Sequence, residues 1–318
     1  MITTEMLKTR QLLSLPCKIA MSKKRIKAWV KEFGVNGCYI SFSGGKDSTV
    51  LKHLVEETIK DDPILRGVIP SVFINTGLEF PEIVDFIKSC ENVTIIKPKM
   101  NFKQVLEKYG YPVVSKEQAK YIREVQNGTT KYTENKRRGM INGRNGYRVG
   151  AVSKKWQYLM DQNKIKISEQ CCDVMKKRPA HKFFMKTKRV PFVGTMAGES
   201  RLRTQSYLKN ACNAFYLKSA QSRPLMFWNE KDIWDYIKHY NIPYSKIYDM
   251  GYKRTGCMFC MFGCHLEKQP NRFQLMQKTH PKQWKYCMDK LGIRKVLNYI
   301  NVPCENKQLE FDFMESEK

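Results

Sequence analysis

Apolar residues along this chain recur with two periods, and their order sets out alternating helices and strands. From Ser22 to Phe33, the residues Ile26, Trp29, Val30 and Phe33 share one helical face with lysines opposite, and Gly34 and Gly37 stop the pattern. Residues 1–20 carry no decisive periodicity. Residues 38–42 are a short β-branched and aromatic run, a buried strand, followed by helical spacing over 49–55. Two more strands are expected at 71–74 and 93–96, with helices after each, one through Ile87 and one over 102–109. Strand character returns at 190–194, and Asn229 caps a helix whose aromatic face is expected in the core. This alternation predicts an α/β fold, a doubly wound, mainly parallel sheet with helices on both faces. Ligands of such sheets bind at the carboxyl ends of the strands, which puts residues 43–49 and 75–79 on one rim.

The turn after the first strand, Ser43-Gly44-Gly45-Lys46-Asp47-Ser48-Thr49, holds two glycines, three hydroxyls, a lysine and an aspartate. Glycines let backbone approach a ligand, and a helix N-terminus offers unpaired N–H groups and a favourable dipole, so this turn suits phosphate. It is not a Walker A loop: Ile40 stands where the first glycine belongs, and Asp47 follows the lysine. The G-x-G-x-x-G spacing is absent as well. The plain alternative is a strand–turn–helix connection with incidental glycines.

Composition adds a class and a charge. The 318 residues are 42% hydrophobic and 12% aromatic, enough for one large or two modest globular domains. No apolar run reaches bilayer length and no h-region with a small-residue cleavage site opens the chain, so a cytoplasmic location without membrane contact is expected. The formal charge of +27 attracts phosphate polyanions. Residues 116–189 hold 20 Lys and Arg against 6 Asp and Glu, an excess of 14 and about half the total. Within them, the stretch with Lys136, Arg137, Arg138, Arg144 and Arg148 reads as a mobile insertion or a phosphate-contacting loop, with a solvated charged loop as the alternative. Arg201 and Arg203, after a strand and a glycine, are placed to clamp an anion, with plain surface arginines as the alternative. The expected division is a helical segment over 1–34, a nucleotide-binding domain over 35–250 with the basic insertion around 116–189, and a cysteine-bearing region over 251–318.

Eleven cysteines, an odd number, argue against a disulfide framework. Cys17, Cys38, Cys90, Cys212 and Cys287 sit singly among apolar neighbours and read as small buried hydrophobes. Cys171 and Cys172 are adjacent, while Cys257 and Cys260 form a C-x-x-C pair with Cys264 close behind. A C-x-x-C pair hooks zinc or iron–sulfur. Adjacent cysteines diverge along the backbone and serve one tetrahedral ion poorly, whereas a cubane gives each thiolate its own iron; the set therefore favours [4Fe–4S]. A redox dithiol at Cys257 and Cys260, or buried thiols without metal, are the other readings. Lys176, Lys177 and Arg178 would offset the charge of a thiolate-bound cluster.

Four segments in order resemble the phosphoadenosine phosphosulfate (PAPS) reductase family of the adenine nucleotide alpha-hydrolase (PP-loop) superfamily, over about residues 35–265: SFSGGKDST, FINTGLEFPE, VGTMAGESRLR, and the run from PLMFW to TGC ahead of the C-x-x-C. The resemblance implies a PP-loop in which Ser43, Gly44, Gly45, Lys46, Asp47, Ser48 and Thr49 grip ATP or adenylyl sulfate. It makes Lys46 and Asp47 the catalytic pair, with Asp47 on Mg²⁺ if ATP is used. It adds Thr76, Gly77, Glu79, Arg201 and Arg203 to the nucleotide site. Cys171, Cys172, Cys257 and Cys260 fall where cluster-containing adenylyl-sulfate reductases carry their [4Fe–4S] ligands. Those reductases also use a Glu-Cys-Gly motif followed by an apolar residue and His; here Cys304 has neither Gly nor His after it, and Cys264 lies beside the proposed cluster. The leading expectation is therefore ATP-dependent adenylation and sulfur transfer, onto tRNA or DNA, with a sulfur donor protein as partner. The alternatives are reduction of adenylyl sulfate or its 3′-phosphorylated form to sulfite, with a reductant such as thioredoxin, and a non-catalytic nucleic-acid-binding module.

Overall fold

A computed structural model describes residues 2–141, 149–161, 164–216 and 220–306. Among them are the strands β1 (Cys38–Ser41), β2 (Ser71–Ile74), β3 (Val93–Ile96), β4 (Val113–Val114), β5 (Val190–Val193), β6 (Asn213–Ala214), β7 (Gln221–Ser222) and β8 (Met261–Phe262). The chain forms two compact units. The first holds the chain up to Asn75, Glu79–Lys97 and Pro179–Thr255; the second holds Thr76–Leu78, Pro98–Arg178 and the chain from Gly256 onward.

The first unit is built on a six-stranded sheet of order β3-β2-β1-β5-β7-β6, parallel throughout except where β6 runs against β7. Ile40 of β1 is in register with Ser71 of β2 and Phe192 of β5. The strand order reverses beside β1, so its carboxyl end is the switch point where such sheets bind ligands. The core includes Trp29, Ile40, Leu51, Phe192, Trp228, Ile233 and Tyr236, all fully buried, so the aromatic residues after Pro224 are core as expected.

The division differs from the expected one at both ends. Residues 1–34 are not a segment apart: the helices Thr4–Leu12 and Leu15–Phe33 belong to the first unit because Leu7, Ile26, Trp29 and Val30 are in its core. The second helix starts seven residues before the apolar pattern does, because Lys18 and Ser22 on its buried face are polar. Lys18 donates to Asp232 at 2.6 Å and to the Gln11 carbonyl at 2.8 Å. Ser22 donates to the Pro224 carbonyl and accepts from the Trp228 indole, both at 3.0 Å. The excursion from the sheet is residues 98–178, and it groups with the C-terminal residues.

In the second unit β4 pairs in parallel with β8. Gln126, near the end of the helix Lys116–Gln126, donates to the carbonyls of Leu159 and Ile165 and accepts from the Ile167 N–H, tying a long loop to that helix. Of the basic stretch 136–148, expected as a mobile insertion or a phosphate-contacting loop, Lys136 and Arg137 end the helix Lys131–Arg137. Arg137 donates to Glu124 and to the Gly150 carbonyl, each at 2.7 Å, and lies 3.9 Å from the centre of the Tyr121 ring; Arg138 pairs with Glu134 at 2.8 Å. These two arginines are engaged internally, while Arg144 and Arg148 lie outside the described residues. No helix among the described residues is long and apolar enough to cross a membrane.

Candidate functional site

The loop leaving β1 is shaped by two close approaches. Gly44 has φ +71°, and a Cβ there would meet Ile87 at 2.8 Å. Gly194, just past β5, would meet the Asp47 carbonyl at 2.9 Å, so β5 lies directly against the loop. The hydroxyls of Ser43 and Ser48 are 3.0 Å apart, and Ser48 and Thr49 donate to the Gly45 carbonyl at 2.9 and 3.1 Å. Gly45 then caps the helix Lys46–Lys60.

The first amide of that helix holds an oxygen. The Lys46 N–H donates to the Tyr248 phenol at 2.7 Å, and Thr255 lies 3.3 Å from the same phenol. A Cβ on Gly45 would be 2.5 Å from the Thr255 hydroxyl. The Lys46 ammonium, 5% exposed as a residue, donates to the Lys253 carbonyl at 3.2 Å, pairs with Glu230 at 3.2 Å and lies 5.5 Å from the Tyr248 ring centre. Residues 248–255 therefore cover the loop within the first unit. The Asp47 Oδ1 is buried without a hydrogen-bond partner, 4.0 Å from the Lys46 ammonium. Burial raises this carboxyl above the ordinary range, Lys46 pulls it back, and Glu199 and Glu230 push it further up. An orphaned oxygen of this kind fits Mg²⁺, which takes one or two carboxylates together with phosphate oxygens.

Arg203 pairs with Glu199 and lies near enough to Asp47 to lower its pKa, whereas Arg201 is exposed. The motif after β2 is divided: Asn75 and Glu79 belong to the first unit, Thr76 and Gly77 to the second. Gly77, at φ +75°, turns the chain, and the Thr76 hydroxyl accepts from the Leu78 N–H at 3.2 Å.

In the second unit Cys171, Cys172, Cys257 and Cys260 line one cavity of about 20 Å³ with Leu78, Phe102 and Lys176. The Cys171 and Cys172 sulfurs are 3.9 Å apart. Cys172 is drawn down to about 6 by the hydrogen bond from Cys171 and by Lys116 and Lys176; Cys171 is pushed well above the thiol range by the same bond and by burial. Arg272 donates to the Cys260 carbonyl at 3.0 Å. Among the described residues no three His, Cys, Asp or Glu side chains converge on a single point to hold a metal ion. As a donor set the four thiols fit a [4Fe–4S] cluster, with no carboxylate or imidazole in the lining and cations at hand.

A sequence profile of the phosphoadenosine phosphosulfate reductase domain matches residues 37–149 and 147–262. The chain belongs to this family. It is 26% identical over 274 residues to an uncharacterized protein, MJ0973, of Methanocaldococcus jannaschii, covering 82% of this chain and 48% of that protein. The chain thus spans about half the length of this relative. Over 247 residues it is 23% identical to an adenosine 5′-phosphosulfate reductase of Oceanobacillus iheyensis, covering 74% of this chain and 76% of that protein. Among solved structures it is similar to the PAPS reductase of Candida auris, at TM-score 0.39 and 14% identity over 81% of this chain and 96% of that one. It is also similar to the U34-tRNA thiolase NcsA of Methanococcus maripaludis, at TM-score 0.37 and 15% identity over 88% and 80%. Family membership and the sheet order agree on a nucleotide-binding PP-loop fold. Sequence reasoning singled out none of Tyr248, Thr255, Glu230 and Gly194 by residue, although all four lie inside two of the segments that carry the family resemblance.

Proposed function

We propose that this chain binds ATP, adenylates an oxygen of its acceptor and then transfers sulfur to the activated centre. The observation that carries this reading is the Lys46 amide, which opens a helix at the switch point of the sheet and already holds an oxygen at 2.7 Å. An amide so placed takes a phosphate oxygen in the same geometry. Ser43, Gly44, Gly45, Ser48 and Thr49 cradle the phosphates, and the Lys46 ammonium offsets their charge. Asp47 would hold Mg²⁺. Glu79 contacts the nucleotide, and Arg201 and Arg203 hold its anionic end, all three on the first unit with the loop. The acceptor oxygen attacks the α-phosphorus and pyrophosphate leaves. Hydrosulfide-level sulfur from a donor protein then attacks the activated carbon or phosphorus; a bond to sulfur forms, the bond to the adenylate oxygen breaks, and AMP leaves with no net oxidation. Cys171, Cys172, Cys257 and Cys260 would hold a [4Fe–4S] cluster, which when bound supplies a redox-active centre able to bind sulfide. The charge of +27 supports nucleic acid, tRNA or DNA, as acceptor.

Reduction of adenylyl sulfate is the second reading, favoured by the likeness to the Oceanobacillus iheyensis protein. It needs an accessible thiolate outside the four-cysteine set, where Cys17 is exposed but the two candidates, one near the C-x-x-C and the other the chain's last cysteine, are not. Cys264 and Cys304 are 1% and 5% exposed, and burial raises both thiols, Cys264 to about 12. The deciding experiment gives anaerobically purified protein ATP or adenylyl sulfate in turn, with Gly45→Val as the inactive control. Acceptor-dependent pyrophosphate release is expected. Sulfite from adenylyl sulfate without pyrophosphate release moves the assignment to the reductase, and neither product leaves a non-catalytic module.

A further inference from the structure

The basic stretch that sequence reasoning offers to nucleic acid is partly used up, since Arg137 and Arg138 are bound to carboxylates of their own unit. The second unit carries a different basic surface. A cleft of about 480 Å³ is lined by Lys164, Ile165, Lys295, Asn298 and Tyr299. Its volume falls in the range of small-ligand sites, roughly 300–1,000 Å³. Two of its five lining residues are lysines and none is acidic. Lys295 stands one turn before Asn298 and Tyr299 on the helix Ile293–Tyr299.

The aromatic in this cleft is braced. Tyr158 packs edge-on against the Tyr299 ring at 5.2 Å and 78°, and its hydroxyl donates to the Tyr299 carbonyl at 3.0 Å. The Lys164 ammonium lies 5.7 Å from the centre of the Tyr299 ring. Tyr158 is itself partly exposed on the short helical segment Lys154–Met160, whose Lys154 and Lys155 face solvent. Cations alternating with a fixed ring are the chemistry of single-stranded nucleic acid, in which lysines neutralise phosphates and an unpaired base stacks on the aromatic face. A paired base in a duplex cannot present that face.

We infer that this Lys164–Lys295–Tyr299 cleft binds one nucleotide of an unpaired RNA or DNA segment, with phosphates on the lysines, the base on Tyr299 and its edge within reach of Asn298. This inference rests on nucleic acid being the acceptor, as proposed above, and is independent of the adenylation chemistry.

The test measures fluorescence anisotropy of labelled twelve-nucleotide single strands, RNA and DNA, with the full-length protein across a salt series. The variants are Lys164→Glu/Lys295→Glu, Tyr299→Ala, Tyr299→Phe and, as control, Lys60→Glu on the other unit. All are checked by thermal melting for wild-type folding. The double lysine variant should weaken binding by about tenfold or more at low salt and flatten the slope of log affinity against log salt by about 1.4, the value for two phosphate contacts on a single strand. Tyr299→Ala should weaken binding about tenfold with the slope unchanged, while Tyr299→Phe and Lys60→Glu behave as wild type. Comparing the two strands tells whether the unpaired segment is RNA or DNA. Wild-type affinity and slope in the double variant overturn the cleft while leaving nucleic acid as acceptor. Binding of a blunt duplex or of polyglutamate as tight as that of the single strand also overturns it. No strand binding by wild type at low salt overturns the acceptor and the cleft together. Pyrophosphate release from ATP, measured separately, tests the reaction whichever result is found.

Discussion

Arg137 and Arg138 are adjacent, equally basic in the sequence, and unequal in the fold. The Arg137 side chain is mostly buried, with two hydrogen bonds and a ring beneath it, whereas Arg138 makes one surface pair four residues back along its helix. Removing Arg137 leaves the Glu124 carboxylate with only the longer Lys120 pair at 3.9 Å and takes the side-chain donor from the Gly150 carbonyl, a loss of about 1–3 kcal/mol. Removing an exposed i,i+4 pair changes stability by about 0.5 kcal/mol or less. Arg137→Ala should therefore lower the urea midpoint clearly and Arg138→Ala hardly at all; equal midpoints would show that Arg137 is another solvated surface charge. The difference was invisible in the sequence because it depends on Tyr121 and Glu124, one helix away. Gly44, by contrast, was legible as a position for glycine: two glycines after a strand and before a helix announce close backbone approach, and the fold adds that Gly44 is left-handed at φ +71°.

At the scale of elements, residues 248–255 matter most. Tyr248 and Thr255 occupy the approach to Gly45 and the Lys46 amide, so a phosphate reaching that amide must displace them. Lys253 and Arg254, both exposed, make the displacement measurable. Saturating Mg-ATP should speed tryptic cleavage after Lys253 and Arg254 several-fold. Tyr248→Phe, which keeps the ring against Trp234 but loses the competing oxygen, should bind ATP more tightly than wild type. Weaker ATP binding by this variant would mean that the phenol is a ligand of the nucleotide. The helices and strands themselves were largely readable: β2, β3 and the helix Phe102–Tyr109 lie where period and β-branching put them. The start of the helix Leu15–Phe33 was not, because Lys18 and Ser22 look like solvent-facing residues until Asp232 and Trp228 are found beside them.

For the molecule as a whole, the testable feature is the four-cysteine set of the second unit. Protein prepared without oxygen should be brown and carry about four irons and four labile sulfides per chain. Cys257→Ser should remove the colour and the iron, while Cys304→Ser, outside the thiol cavity, should keep both. Stoichiometric zinc without labile sulfide would overturn the cluster assignment.

By itself the sequence determined the strands and helices of the parallel sheet, the glycine-bearing turn after its first strand, and the adjacent Cys171 and Cys172 and the C-x-x-C of Cys257 and Cys260 as separate local motifs, because each is encoded within a few neighbouring residues by period, glycine placement or spacing, whereas only the fold brings the two cysteine pairs to one cavity. Only the tertiary structure decided which polar groups are already taken. Arg137 is bound to Glu124, Lys18 to Asp232, and the Lys46 amide to Tyr248, about two hundred residues away. Such pairings arise where the fold removes water from groups distant in sequence, and a buried charge or amide must then be satisfied by whatever partner the packing brings to it.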